Sequence, residues 1–185
     1  CSSEELSGRL REILQGKSRD EIFELPFVYG QTIHYVPDYG HCQYASVHFR
    51  YRCDVLLDEE ILALQGLTGF HNSLVFEEDG STAARAVCIA GDGKDIIGIA
   101  GASGTSVDSF WEVGVDVREK YRGEGVGTYL VSRLTNELTE RDIVPFYSAS
   151  VTNIGSQRTA HRSGYIPMWV DTFGTILDGS SVYDD

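Results

Sequence analysis

Through the stretch Phe110 to Val117 an apolar series alternates with another: Trp111, Val113, Val115 and Val117 fall on one face, Glu112, Gly114 and Asp116 on the other. That period of two predicts a half-buried strand. It predicts another where Val47, Phe49, Tyr51, Cys53 and Val55 interleave with Ser46, His48, Arg50, Arg52 and Asp54. Two further strands, Ala83 to Ala90 and Asp95 to Gly101, flank Asp92-Gly93, a pair that tolerates the positive φ of a tight hairpin. The period turns helical where Tyr129, Leu130, Leu134 and Leu138 make one stripe, predicting a helix to about Glu140. Pro145 to Thr152 reads as a strand, Ser156 to Arg162 as a short helix closed by Gly164, and Tyr165 to Phe173 as a last strand. Near the start, Leu6, Leu10, Ile13 and Leu14 predict a short amphipathic helix stopped at Gly16, and Asp58 can cap another through Leu64. From Phe23 to His41, aromatic residues mix with Pro26, Pro37 and glycines, as in a loop with room for one strand. The order β-β-β-α-β-α-β makes the fold class α+β, a mixed α/β sandwich.

At 185 residues, 42% of them hydrophobic, the chain has room for one domain with a real core, or one domain and a small N-terminal extension. The net charge of −13, from 15 basic and 28 acidic residues, argues against nucleic acid and anionic membranes, because neutralising phosphates needs clustered Lys and Arg. It suits a cationic acceptor such as an amine; an acidic surface kept for solubility accounts for it equally well. No apolar run approaches the ~20 residues of a membrane helix, and no basic-then-apolar leader opens the chain. Cys1, Cys42, Cys53 and Cys88 form no C-x-x-C pair and read as reduced thiols of a cytoplasmic protein. A chain that opens on Cys1 rather than Met reads as trimmed, or as part of a longer one.

The segment from Val115 to Thr128 ends a strand and opens a helix, with Gly123, Gly125 and Gly127 at the junction and Arg122 leading in. Glycine lets a ligand approach the main chain closely, and the unpaired first amides of a helix converge on an anion at its positive end. The loop therefore reads as a phosphate site. A P-loop requires G-K-[ST], and here Thr128 and Tyr129 follow Gly127 with no lysine. A dinucleotide fingerprint is G-x-G-x-x-G tight against the strand, whereas this spacing is G-x-G-x-G and four residues separate Val117 from Arg122. A turn that merely connects strand to helix would need one or two glycines and no charged lead-in.

What remains, [RQ]-x-x-G-x-[GA] after a strand ending in V-x-V, resembles the Gcn5-related N-acetyltransferase (GNAT) family. A second segment, Asn153-Ile-Gly-Ser156, then Ala160, then Gly164-Tyr165, is similar to that family's N-x-x-[AS]…G-[FY]. The resemblance covers about residues 75 to 175. It implies an acyl-CoA N-acyltransferase-like fold, with a central, mostly antiparallel sheet flanked by helices. On that basis residues 61–185 are the acetyl-CoA-binding catalytic core. Residues 1–60 form a helical or extended segment packed on it that contributes to the acceptor site. The resemblance also implies acetyl-CoA as co-substrate and no metal. The backbone of Val115 and Val117 would pair with the pantetheine arm, and Arg122, Gly123, Gly125, Val126, Gly127 and Thr128 would hold the pyrophosphate. Asn153 and Ser156 would complete the coenzyme site, although Asn153 equally suits a helix-entry cap.

Acetyl transfer needs a neutral amine, a stabilised oxyanion and a proton for the departing thiolate. Glu112 is the base candidate, with Asp116 on the same face as reserve; the Val115 amide is the implied oxyanion donor. Many relatives carry Tyr where this chain has Ala160, so proton return falls to His161 beside it, to a Tyr from elsewhere or to water. His34, His41, Cys42, His48 and Cys53 fit no common zinc spacing and read as separate surface or packed residues. Phe27, Tyr29, Tyr35, Tyr39 and Tyr44 read either as packing or as the lining of an acceptor pocket. The reading is direct acetyl transfer to a primary amine of a small molecule or peptide, by a chain for which a homodimer is compatible. The alternative is a non-catalytic acyl-CoA-binding or regulatory module.

Overall fold

The computed structural model describes residues 11–12, 14–17, 27–40 and 49–176. Its strands are β1 Phe27–Pro37, β2 Arg52–Leu57, β3 Ala84–Asp92, β4 Asp95–Gly104, β5 Phe110–Val117, β6 Val144–Ser150 and β7 Tyr165–Ile176. Helix α1 spans Val126–Thr139 and α2 spans Ile154–Arg162. The strands form one sheet in the order β2-β3-β4-β5-β6-β1-β7. Pairing is antiparallel between β2 and β3, β3 and β4, β4 and β5, and β1 and β6, while β5 and β6 run parallel. The α+β class holds, with a mixed, mostly antiparallel sheet.

The chain divides into two compact units, Thr32–Asp171 and, separately, Cys1–Gln31 with Thr172–Asp185. In the latter, the Gln31 amide nitrogen donates to Thr172 Oγ1 at 3.4 Å. The buried cores described next lie within Thr32–Asp171.

The alternation in β5 sorts its side chains as its sequence requires. Trp111, Val113, Val115 and Val117 join the core under α1, whose Val126, Leu130, Val131, Leu134 and Leu138 are fully buried. Each such side chain contributes about 1.5–3 kcal/mol of transfer free energy. Gly98 on β4 lets the helix lie close, since a Cβ there would meet Leu130 and Val126 at 3.0 and 3.1 Å. A buried hydroxyl pair in this core is internally satisfied: Thr135 Oγ1 lies 2.7 Å from the Tyr165 hydroxyl and donates to the Val131 carbonyl at 2.7 Å. On the opposite face Ile61, Leu64, Phe70, Val87 and Ile99 make a smaller core.

Two elements differ from expectation, and a third fills in an open one. The strand expected over Val47–Val55 is Arg52–Leu57, because pairing with β3 sets its limits, from Arg52 opposite Gly91 to Leu57 opposite Ala86. Phe49 and Tyr51 instead pack on Tyr129 and Tyr121, at ring centroid distances of 3.7 and 5.8 Å. Asp58 opens a 3-10 helix to Leu64, but the side chain that accepts from the preceding Leu57 amide is Glu60, at 3.1 Å. The weakly patterned stretch after Phe23 holds β1, inserted between β6 and β7. Leu6, Leu10, Ile13, His41, Cys42, Tyr44 and His48 lie outside the described residues, as does Cys1. Cys53 and Cys88 are free thiols. Among the described residues no helix is long and apolar enough to cross a membrane.

Candidate active site

The parallel pair β5 and β6 is joined only at one end. The register runs Phe110–Val144, Trp111–Pro145, Glu112–Phe146 and Val113–Tyr147, and stops there. On its other side β5 stays paired with β4 as far as Val117. The Arg118 amide donates to Ile97 of β4 at 2.9 Å, so by the alternation of an antiparallel ladder the backbone groups of Val115 and Val117 point away from β4, into the gap. That gap is a cleft of about 920 Å³. Glu112, Val115, Val117, Arg122, Gly123, Gly125, Val126, Gly127, Thr128, Asn153 and Ser156 all line it. The sequence-derived site is therefore one place in space.

At one end of the cleft lies the glycine loop. Gly123 and Gly125 have φ of +81° and +83°, a region closed to most side chains, and a Cβ on either would project into open space. No side chain caps α1, and its first ladder bond runs from Tyr129 to the Gly125 carbonyl at 2.9 Å. The amides of Val126, Gly127 and Thr128 thus have no intrahelical acceptor. Gly127 seats the helix on β5, where its Cβ would lie 3.4 Å from Val117. Arg122 folds back so that its Nε donates to the Val117 carbonyl at 3.0 Å. The remaining loop residue, Glu124, would oppose an anion, but its carboxylate accepts from Arg50 at 2.5 Å and from the Tyr51 hydroxyl at 2.7 Å. This clamp went unread in the sequence because its partners are over seventy positions away.

Helix α2 opens on the same cleft. Asn153 does cap it, its Oδ1 accepting from the Ser156 amide at 3.0 Å. Ser156 Oγ is 2.8 Å from the hydroxyl of Tyr147, which also lines the cleft. Burial pushes the Tyr147 phenol up, the Ser156 bond partly offsets this, and the charge of Asp116 adds to the rise. Ala160 is fully buried and does not line the cleft; nor does His161, which stands edge-on to Tyr35 at 5.4 Å. Tyr35 itself is core, at 2% exposure, so of the aromatic group it is packing.

The lining also carries carboxylates. Glu112 is exposed to the cleft, with Glu77 and Asp116 also in its lining. Asp116 is committed: it accepts from the Asn72 amide at 2.8 Å, Asn72 Nδ2 at 2.6 Å and Ser73 Oγ at 2.9 Å. These bonds hold the 72–73 backbone directly on the sheet above Gly101 and Gly114. Glu112 is the carboxylate of β5 left for chemistry. Two helix N-termini and Arg122 in the lining suit an anionic ligand portion, and the carboxylates of Glu112 and Glu77 a cationic one. Among the described residues no group of three or more His, Cys, Asp or Glu is arranged to hold a metal ion. Ser148 was also missed; it lines the cleft and its Oγ lies 2.9 Å from Nδ1 of His34.

Known proteins resemble this chain in sequence pattern and in fold. The sequence model of the Acetyltransferase (GNAT) family matches residues 34–165. Among solved structures, a GNAT-family acetyltransferase from Novosphingobium aromaticivorans is 13% identical, with a TM-score of 0.61 over 95% of this chain and 81% of the other. A GCN5-related N-acetyltransferase-like protein from Streptococcus suis is 15% identical, with a TM-score of 0.61 over 91% and 75%. A GCN5-related N-acetyltransferase from Kribbella flavida is 18% identical, with a TM-score of 0.56 over 83% and 62%. At these identities the likeness is one of fold. No curated protein matches the sequence.

Proposed function

The chain belongs to the GNAT acetyltransferase family, and from that premise we propose that it transfers the acetyl group of acetyl-CoA directly to a primary amine of a small molecule or peptide. The observation that carries the reading is the divergence of β5 from β6 beyond Val113, which turns the backbone of Val115 and Val117 toward an open cleft. An extended amide-bearing chain such as pantetheine can bond to such an edge as a strand would. The residues present fit the coenzyme: the space beside Gly123 and Gly125 that a Cβ would fill and the unpaired amides of Val126 to Thr128 suit a diphosphate. Arg122, which leads into that loop, adds fixed charge there.

Acetyl-CoA as substrate supplies an activated thioester carbonyl. The chain's part is to orient it and to manage protons. Glu112 takes a proton from the entering ammonium, directly or through water. The Val115 amide donates to the carbonyl oxygen as negative charge develops on it.

The deciding experiment measures thiol release from acetyl-CoA across an amine panel, alongside calorimetric titration with the coenzyme. Coenzyme binding with acceptor-dependent thiol release is expected; binding without release from any amine would favour the non-catalytic module. Glu112→Gln should lower kcat by roughly 10²-fold or more with coenzyme affinity nearly unchanged. An unaltered rate would remove Glu112 from the mechanism.

A further inference from the structure

Beyond the cleft, one line of polar groups leads from its wall to solvent through an otherwise apolar packing. Ser148 on β6 lines the cleft on the face that also carries Glu112: Phe146 is register partner to Glu112, and Ser148 lies two residues further along the strand. Its Oγ is 2.9 Å from His34 Nδ1, the two residues being partners across β1 and β6. The other ring nitrogen, Nε2, is buried and lies 2.9 Å from Asp171 Oδ2, out of line for an aligned hydrogen bond and with no other partner. The His34 side chain is 13% exposed and that of Asp171 65%. Trp169 stacks on the ring at 4.5 Å and 6°, and Phe146 flanks it at 6.0 Å. An imidazole with a hydroxyl at one ring nitrogen and a carboxylate beside the other has a partner on each side for passing a proton along.

We propose that Ser148, His34 and Asp171 form a proton relay serving the acceptor side of the cleft, with His34 as the group that stores the proton. The inference rests on the acetyl-transfer reading. An ammonium acceptor must lose two protons from nitrogen. The first, taken by Glu112, frees the lone pair. The second leaves as the N–C bond forms and the C–S bond breaks, with the C–S electron pair departing on sulfur. Ser148 Oγ accepts that proton while its own passes to His34 Nδ1. The imidazolium so made faces Asp171. Return of the proton through Ser148 to the thiolate gives the free thiol and restores the relay, so that N–H and C–S bonds are exchanged for N–C and S–H. The resting tautomer this requires carries its hydrogen on Nε2, toward the carboxylate, and leaves Nδ1 bare to accept from Ser148. Ser148 is the group that meets the substrate; His34 and Asp171 act through it.

Two measurements test this. The first needs no ligand: nitrogen-15 ring shifts of His34 in the full chain should show the Nε2–H tautomer in the neutral form. The Nδ1–H tautomer would overturn the relay. The second is kinetic. Ser148→Ala and His34→Gln should each lower kcat roughly 10²-fold while leaving KM for acetyl-CoA within about twofold. Ser148→Thr, which keeps the hydroxyl, should recover most of the rate, and added imidazole should partly restore His34→Gly. A merely structural role would show neither rescue. Should the His34 variants fail to fold, the Ser148 pair decides alone. Wild-type kinetics in Ser148→Ala, or an acetyl adduct trapped on Ser148 without acceptor, would overturn the proposal. Absence of thiol release from the unaltered chain is a separate result: it removes the acetyl-transfer reading and the relay's task with it, whatever the tautomer.

Discussion

Gly101 and Gly114 stand opposite each other on β4 and β5, and a Cβ on either would come 1.7 Å from a backbone oxygen, of Ser73 or Asn72. Gly123 and Gly125, in the loop that follows β5, have nothing within 4 Å of such a Cβ and are held instead at positive φ. The first pair is glycine because space is filled, the second because the chain must bend left-handed beside space left open. Both border the same cleft. One pair fixes the wall and the other shapes the mouth, and substitution should tell them apart.

The largest effect is expected at Gly114. Alanine there must displace the 72–73 backbone, and overpacking against a main chain that cannot rotate away should cost about 3–5 kcal/mol in urea unfolding. Next comes Asp116→Ala, which leaves the same loop in place sterically but removes its three hydrogen bonds; a loss of about 2–3 kcal/mol is expected, because bonds to a charged acceptor are lost, one of them from the buried Ser73. Gly125→Ala should cost about 1–2 kcal/mol from its left-handed backbone, with weakened coenzyme binding visible in the same titration that tests function. A Gly125→Ala protein as unstable as Gly114→Ala would break the distinction. Smallest is Glu124→Gln, which weakens an exposed clamp with Arg50 and should leave the urea midpoint nearly unchanged. If that change instead rivals Gly125→Ala, the mouth is held by its charges more than by its glycines.

The mouth was legible in the sequence and the wall was not. Gly123 and Gly125 sit in a local pattern, strand then loop then helix, whose meaning lies in a dozen consecutive residues. Gly101 and Gly114 acquire theirs from a loop that reaches them through the fold, and nothing near either in the chain announces it. The same division runs through the elements. Strand β5 and helix α1 carry complete periodic patterns, whereas β1 is a strand because β6 pairs with it, Thr32 to Tyr35 against Ser150 to Tyr147. Ser148 and His34 meet only through that pairing, 114 positions apart. Tyr147 stayed hidden for a further reason: the position where a hydroxyl is missing, Ala160, belongs to α2, while the tyrosine lining the cleft stands on the neighbouring strand.

The seam between β5 and β6 has a mechanical meaning. In the order β2-β3-β4-β5-β6-β1-β7, the ladder that joins the two halves of the sheet is four register pairs long, from Phe110 to Val113. A sheet so joined is two plates on a short hinge, with α1 as the strap across them. Whatever lies along Val115 and Val117 fills the place of a missing ladder, so occupancy should stiffen both plates at once. Amide exchange in β6 and β1 would then slow together with that in β5, although a ligand bonded to β5 need not touch β1.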